Sequence, residues 1–408
     1  MKILLVNRGG YSSYGSETYL LNLYRLLKEK AHKVNIFTTK DERNIDKEYV
    51  DYFVNKIDIE KLDSVSLLSK ILFAPKTIYS FEAKRKIERL IRDIRPDIVH
   101  IQNIKRSISP SILHSVKKYD IPVVYTLHDY HLICPNYRLF SDGQICENCK
   151  AHSYYNAILK RCVRDSFVFS SLACIEQYLH SIMRIFENYV DIFITPSSFL
   201  RQKMIEFGFN PKKLLHISNF IFNNDYQPNY ESAGYIIYIG RLVREKGIFT
   251  LLQAVRNLSS LKLLIIGDGT YKKDLERLVA KEGINNVEFR GYLSAGDIKT
   301  IIKNAMFTVV PSEWYEIFGL VVLESFAMGK PVIGANIGAI PELVDDGING
   351  LLFKSGDVDD LTRKIDYLFN NKDKILKMGQ AARKKVLENY NPEIHYEKIL
   401  QAYQKLIG

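Results

Sequence analysis

Glu316 and Glu324 bracket the otherwise apolar run EIFGLVVLE (316–324). Burying a carboxylate without a partner costs several kcal/mol or forces it to take up a proton. The spacing predicts a helix that starts after the corner Phe318-Gly319, at Leu320, and stops before Gly329. Glu316 then stands on the loop at the helix mouth, facing a cleft, and Glu324 lies nearly two turns inside. A carboxylate held there can accept two hydrogen bonds from vicinal hydroxyls, which ribose and hexose rings present. A half-exposed helix acid, or one paired with a buried base, is the other reading of Glu324.

Upstream, the strand-like YIIYIG (235–240) runs straight into RLVREKG (241–247). Gly240 lets the chain turn sharply, and Arg241 and Lys246 follow close to the start of the next helix. Arginine offers a fork to phosphate oxygens, lysine a mobile point charge, and a helix N-terminus adds its dipole. The arrangement suits a diphosphate; a basic surface turn describes it equally well. GDGTYKKDL (267–275) is a further, weaker glycine turn. In ANIGAIPELV (335–344) the Gly338-Ala339-Ile340 amides are placed to line the same cleft, with Pro341 and Glu342 opening a helix. In the first half, RGGYSSYGSE (8–17) is a small-residue loop able to approach a ligand closely. His128, in YTLHDYHLICP (125–135), directly follows a strand; it fits a structural hydrogen-bonding role or a ligand contact.

The elements that must position these residues recur along the chain. Candidate strands are 2–7, 33–38, 97–102, 122–127, 191–195 and 213–218, then 235–240, 261–267, 287–291, 307–311 and 331–335. Amphipathic helical stretches lie between several of them, such as 17–30, and 270–283 with Gly283 as a C-cap glycine. Short apolar strands alternating with helices describe parallel sheets covered on both faces. Near 222–234 the pattern lapses into Asn, Asp, Pro, Ser and Gly, as a linker does. The expected organisation is α/β: two Rossmann-like doubly wound domains, 1–225 and 226–390, and a last helix, 391–408, that packs back on the first. Ligands of such sheets bind at the carboxyl ends of the strands, here the cleft between the domains.

Taken together, these motifs resemble the retaining nucleotide-sugar glycosyltransferases of family 4, the group 1 glycosyl transferases, which have the GT-B fold. The likeness covers nearly the whole chain and is strongest in IGRLVREKG, IIGDG, PSEWYEIFGLVVLESFAMGKPVIG and GAIPELVDDGINGLLF, where Glu316 and Glu324 match the family's E-x7-E pair. The family's paired glycine before the first helix reads Tyr14-Gly15 here, and its glycine-rich turn before Pro-Glu reads Gly338-Ala339-Ile340. The resemblance implies that Arg241 and Lys246 hold the donor diphosphate and offset charge on the leaving nucleotide. Glu324 would bind the ribose hydroxyls, and Glu316 would contact the sugar with Phe318, Gly319 and Leu320 around it. His128 would touch the sugar from the opposite domain, and Gly15 would lie near the phosphates or acceptor. It further implies transfer at one face, the departing phosphate oxygen taking the acceptor's proton, with no divalent metal at the diphosphate. The donor would be a UDP- or GDP-hexose, and the acceptor a glycan or lipid-linked glycan. Another sugar-nucleotide enzyme of this fold, a hydrolase or epimerase, is the nearest alternative.

All five cysteines lie between Cys134 and Cys174, in an insertion spanning about 130–175. Cys134, Cys146, Cys149 and Cys162 form C-x11-C-x2-C-x12-C, which could close a structural tetrahedral zinc site or be a set of free thiols; Cys174 reads as a buried helix residue. Five cysteines in 408 residues make no disulfide framework, and a reducing, cytoplasmic setting is expected. The opening KILLVN reads as a buried strand rather than a secretory signal, and no uncharged apolar stretch approaches the roughly eighteen residues that cross a bilayer. The net charge of +11 allows an anionic partner, such as the inner face of a membrane on which the protein sits peripherally. No nucleic-acid-binding signature accompanies it, so nucleic acid is a weak option. A non-catalytic basic binding protein is the alternative from another class.

Overall fold

Runs such as Ile3-Leu4-Leu5-Val6, with every residue buried, are what a strand covered on both faces requires. The computed structural model, which describes residues 1–11, 15–57 and 78–408, assembles these runs into two six-stranded parallel sheets. The first sheet contains β1 (Lys2–Asn7), β2 (Lys33–Phe37), β3 (Ile98–Asn103), β4 (Val123–Thr126), β7 (Ile192–Thr195) and β8 (Leu214–His216). Its order is β2-β1-β3-β4-β7-β8. The intervening β5 (Phe140–Ser141) and β6 (Gln144–Ile145) form a separate hairpin in the insertion. The second sheet contains β9 (Tyr235–Ile239), β10 (Lys262–Ile266), β11 (Val287–Gly291), β12 (Thr308–Val310), β13 (Val332–Ala335) and β14 (Gly350–Phe353). Its order is β11-β10-β9-β12-β13-β14.

In both sheets the winding reverses at the first strand. β1 lies between β2 and β3, and β9 between β10 and β12. A doubly wound sheet opens its ligand crevice at such a switch point, beyond the carboxyl ends of the two strands. The segments after β1 and β3, and after β9 and β12, are therefore the ones that face a ligand.

Most expected strands lie within two residues of the observed ones. The last strand of the second sheet, β14, and the β5–β6 hairpin were not expected. Both are short, yet the hairpin carries a signal: Asp142 and Gly143 have φ of 55° and 82°, the left-handed pair that an Asp-Gly hairpin turn uses. Tyr14, in the loop before the first helix, lies outside the described residues.

The helix Gly15–Glu29 buries Tyr19, Leu20, Leu23, Leu26 and Leu27 against the first sheet. The same cluster receives Ile399, Ala402 and Tyr403 from the last helix, Pro392–Ile407. That helix therefore follows the second sheet in sequence but packs on the first. It is fixed there by polar contacts, Tyr19 Oη to His395 Nε2 at 3.1 Å and Tyr403 Oη to His100 Nδ1 at 2.6 Å.

The carboxyl edges of the two sheets meet directly. Trp314 and Ile317, from the loop after β12, enter the first domain's apolar cluster. Ser197 Oγ donates to the Ile317 carbonyl at 2.6 Å, and Tyr130 Oη to the Tyr315 carbonyl at 3.0 Å. The Glu342 carboxylate caps the helix Ser198–Glu206 across the interface, accepting from the amides of Ser198 and Phe199 at 2.9 and 2.6 Å.

Candidate active site

On the second domain the site is built by glycine turns pressed side by side. The Gly240 amide donates to the Ile266 carbonyl and the Leu242 amide to the Asp268 carbonyl. A Cβ on Gly267 would stand 1.9 Å from the Gly240 oxygen, so no side chain fits between these turns. The chain then makes a short 3-10 turn, Arg244–Lys246, and Gly247, at φ 66°, opens the helix Ile248–Val255. This places Lys246 toward the loop after β12. Its Nζ lies 2.6 Å from Glu316 Oε1 and 5.2 Å from the centre of the Trp314 ring. Ser312 Oγ donates to the same carboxylate oxygen. Burial pushes the Glu316 carboxyl up, but the Lys246 charge and the hydrogen bonds from Lys246 and Ser312 outweigh it and hold the group below its usual range. Arg241, by contrast, has neither an ion-pair partner nor a side-chain hydrogen bond among the described residues.

Gly319, at φ 111°, starts the helix Leu320–Ala327, so Phe318-Gly319 is a corner. Glu324 is the fifth residue of that helix. The helix starts at Leu320 as expected, but four residues at 3.6 per turn put Glu324 about one turn in rather than nearly two. Burial raises its carboxyl to about 7, against the pull of the Lys299 charge and a hydrogen bond with Tyr226. The turn at Gly338 also departs from expectation. Ala339 N donates to the Glu316 carbonyl at 2.8 Å, and Ile340 N to the Ile337 carbonyl. The Ala339 amide thus holds the Glu316 loop and the Ile340 amide closes its own turn, so neither lines the cleft. A Cβ on Gly338 would meet the Glu316 backbone nitrogen at 2.4 Å.

The first domain supplies the opposite wall. His128, just beyond β4, contacts Gln102 Oε1 through Nε2 at 2.8 Å and packs 5.1 Å from the Tyr19 ring. Burial lowers its pKa to about 4, so the imidazole is neutral at pH 7 and suited to a hydroxyl contact rather than a charge contact. Gly15 faces the other domain: a Cβ there would lie 3.6 Å from Leu320 Cδ1.

Sequence reasoning missed a set of cations on this wall. Arg8 follows β1, and Lys105 and Arg106 follow β3, the two strands flanking the switch point. Lys105 is paired with Asp129, and its Nζ stands 4.5 Å from the Tyr137 ring. Arg138 reaches across the cleft to Glu245 at 3.2 Å. Burial, and the like charges of Arg8 and Arg164, hold the Arg106 guanidinium below its usual range. Tyr137 is pushed up by burial and more strongly down by Arg138, Arg106, Lys105 and Arg241 together. The strand-then-base pattern after β1 and β3 was the available signal.

The cysteines gather in the insertion. Cys134, Cys162, Cys146 and Cys174 all lie near enough to Cys149 for their charge to add to the burial that raises its thiol. All five are free thiols, and among the described residues no three His, Cys, Asp or Glu side chains stand in a metal-holding group. Cys174 is buried, on the helix Phe167–Ile182.

Two facing doubly wound domains, with a cationic cleft and a glutamate pair on the second, define the GT-B architecture of glycosyltransferases that use nucleotide sugars. The chain belongs to Glycosyltransferase Family 4, whose model matches residues 14–222, followed by Glycosyl transferases group 1 over residues 222–385. An uncharacterized 42.6 kDa protein in the cps region of Klebsiella pneumoniae is 29% identical over 362 residues, 84% of this chain and 87% of that one. The sulfoquinovosyl transferase SQD2 of Arabidopsis thaliana is 30% identical over 228 residues, 52% of this chain and 44% of that one. Among solved structures, Anabaena HepE in complex with UDP and glucose superposes with a TM-score of 0.67 at 18% identity, covering 99% of both chains. Staphylococcus aureus TarM gives 0.69 at 15% identity, over 99% of this chain and 100% of that one. The last two likenesses concern the fold.

Proposed function

We propose that this glycosyltransferase moves a hexose from UDP or GDP to a glycan or lipid-linked acceptor, with retention, in polysaccharide or cell-envelope glycan synthesis. The observation that carries the reading is that Arg241 and Lys246 follow β9, and Glu316 and Glu324 follow β12, the adjacent strands at the second sheet's switch point, with Lys246 Nζ 2.6 Å from Glu316 Oε1. In this reading Arg241 and Lys246 take the donor diphosphate, and Glu324 takes the ribose. Lys246 exchanges part of its contact with Glu316 for the phosphate, which frees Glu316 to meet the sugar. The bond from the anomeric carbon to the phosphate oxygen breaks as the bond to the acceptor oxygen forms on the same face. The acceptor's proton passes to the departing phosphate oxygen. Two cationic side chains do the work a divalent ion would otherwise do there. The capsular-region relative supports the pathway, and HepE, captured with UDP and glucose, supports the donor class.

Thermal-shift titration with UDP and with GDP tests the donor site. One of them should raise the melting temperature, and Arg241→Ala and Glu324→Ala should remove both that shift and transfer while keeping the unliganded melting point. No shift with either nucleotide would sink the reading.

A structural zinc at Cys134, Cys146, Cys149 and Cys162 belongs to the same proposal. It rests on the C-x11-C-x2-C-x12-C spacing in a short insertion, and the thiols would have to draw together around the ion, since they form no metal-holding group as they stand. Mass-spectrometric metal analysis of untagged protein should give about one zinc per chain, and a ratio near zero removes the metal.

A further inference from the structure

The helix Phe167–Ile182 is turned inside out. Its buried residues are polar or small: Ser170, Cys174, Gln177 and His180. Gln177 donates to the His131 carbonyl, and Glu176 also reaches inward, to 3.8 Å from the His131 imidazole. Behind the helix, Gln177, His180 and Ser181 line a cavity of about 370 Å³. The outward face is apolar. Phe167, Ile175, Leu179 and Ile182, with Met183 just beyond and Leu159 on the adjoining helix Asn156–Leu159, are between 41% and 77% exposed. At about 100° per residue, Ile175, Leu179 and Ile182 fall within about 60° of one another on the helix surface. Single exposed leucines need no explanation, but a contiguous apolar face with its polar side turned in calls for a partner.

The charges around this face select the partner. Exposed Arg161 and Arg164 precede the helix and exposed Arg184 follows it, the last also at the rim of the cavity behind. Residues 155–184 hold four Lys or Arg against two acids, and one of those acids, Glu176, faces inward. A twofold contact with a second copy would bring the same arginine rims together, which costs energy. An anionic bilayer offers both an apolar boundary for the side chains and phosphates for the rim. Among the described residues no helix is long and apolar enough to cross a membrane, so the contact is one of lying on the surface.

We propose that the outward face of Phe167–Ile182 docks this chain on an anionic lipid bilayer, its apolar side chains entering the headgroup boundary and its arginines meeting lipid phosphates. The insertion follows β4, at the same carboxyl edge as His128. Docking here brings the acceptor side of the cleft toward the membrane, where a lipid-linked acceptor resides. The surface argument stands apart from the donor-site reading.

Sedimentation with phosphatidylglycerol vesicles, phosphatidylcholine vesicles and no vesicles tests it. The chain should sediment with phosphatidylglycerol, weakly or not at all with phosphatidylcholine, and less as salt rises. Ile175→Ser, Leu179→Ser and Ile182→Ser together should weaken binding at least tenfold, and Arg161→Gln with Arg184→Gln at least about tenfold. Both variants change exposed side chains, and an unaltered melting temperature without ligand shows that they are folded, separating this test from that of the donor site. No binding to phosphatidylglycerol overturns the proposal. So does a concentration-dependent dimer, seen by analytical ultracentrifugation, that the triple serine variant abolishes, because the face then belongs to a second copy.

Discussion

Glu324 and Glu316 have the same side chain, and the fold drives them in opposite directions. Glu316 has Lys246 and Ser312 as partners and stays ionised, whereas Glu324 has burial as its dominant influence and sits at about 7. To accept hydrogen bonds from two ribose hydroxyls with both oxygens, Glu324 must be ionised. Below its pKa the donor has to displace a proton on binding, so affinity falls with pH by up to about tenfold per unit. A nucleotide diphosphate sugar has no phosphate group titrating in this range, so it is the right probe. Its Kd, measured by calorimetry between pH 5.5 and 8, should be level above about 7 and weaken below it. In Glu324→Gln it should be weaker but flat, and an unchanged slope in that variant would show that another group sets the pH dependence. The acids themselves were legible from their spacing. Their opposite electrostatics were not, because the partners Lys246, Tyr226 and Lys299 come from other elements, and Ser312, on the Glu316 loop, turns inward only once that loop is folded. The arginines after β1 and β3 escaped for a related reason: a base in a loop gains meaning only once the strand order puts that loop at the switch point.

At the scale of elements, the glycines decide what can sit next to what. Gly247 and Gly283 are both left-handed residues at helix ends, at φ 66° and 63°. Their surroundings differ. A Cβ on Gly247 would stand 1.8 Å from the Pro311 carbonyl oxygen, while one on Gly283 meets nothing within 4 Å. Alanine at Gly283 therefore costs the conformational strain alone, on the order of 1 kcal/mol. That corresponds to about 2–4 °C of melting temperature in a domain of this size. At Gly247 the same strain is joined by a backbone overlap that can be relieved only by moving the β12 loop or the turn carrying Lys246. Gly247→Ala should lose at least twice as much melting temperature and, unlike Gly283→Ala, should lose the thermal shift with nucleotide. Equal behaviour of the two variants in differential scanning fluorimetry would refute the argument. Strand positions were readable here because parallel strands buried on both faces give unbroken apolar runs. The four residues of β14, lying behind the Gly-rich Asp346–Gly350 turn, were too few to stand out.

The whole molecule is held together by more than the cleft. The chain leaves the second domain through Lys372–Asn389 and returns to the first as Pro392–Ile407, so its last helix completes a core begun by its first strand. Amphipathic spacing beyond the last strand made that helix visible in the sequence. The bonds that hold it could not be read there, since Tyr403 meets His100 across 303 residues. His100 is buried with both ring nitrogens engaged, Nδ1 by Tyr403 and Nε2 by Thr126 Oγ1 at 2.7 Å, and burial keeps it neutral with a pKa of about 3. Two substitutions at Tyr403 separate packing from hydrogen bonding. Tyr403→Phe keeps the ring and leaves one imidazole nitrogen unpaired, at a cost of about 1–3 kcal/mol. Tyr403→Ala also opens a large cavity in the shared core, about 3–5 kcal/mol by the usual cost of deleting a buried aromatic. Because that core belongs to the first domain and the helix is tethered to the second, loss of the contact should uncouple them. Calorimetry should then show one transition in the parent and in Tyr403→Phe, the latter a few degrees lower. In Tyr403→Ala the first domain should melt ahead of the second, while nucleotide still shifts the later transition. A single, unshifted transition in the alanine variant would mean that the returning helix does not hold the two domains as one unit.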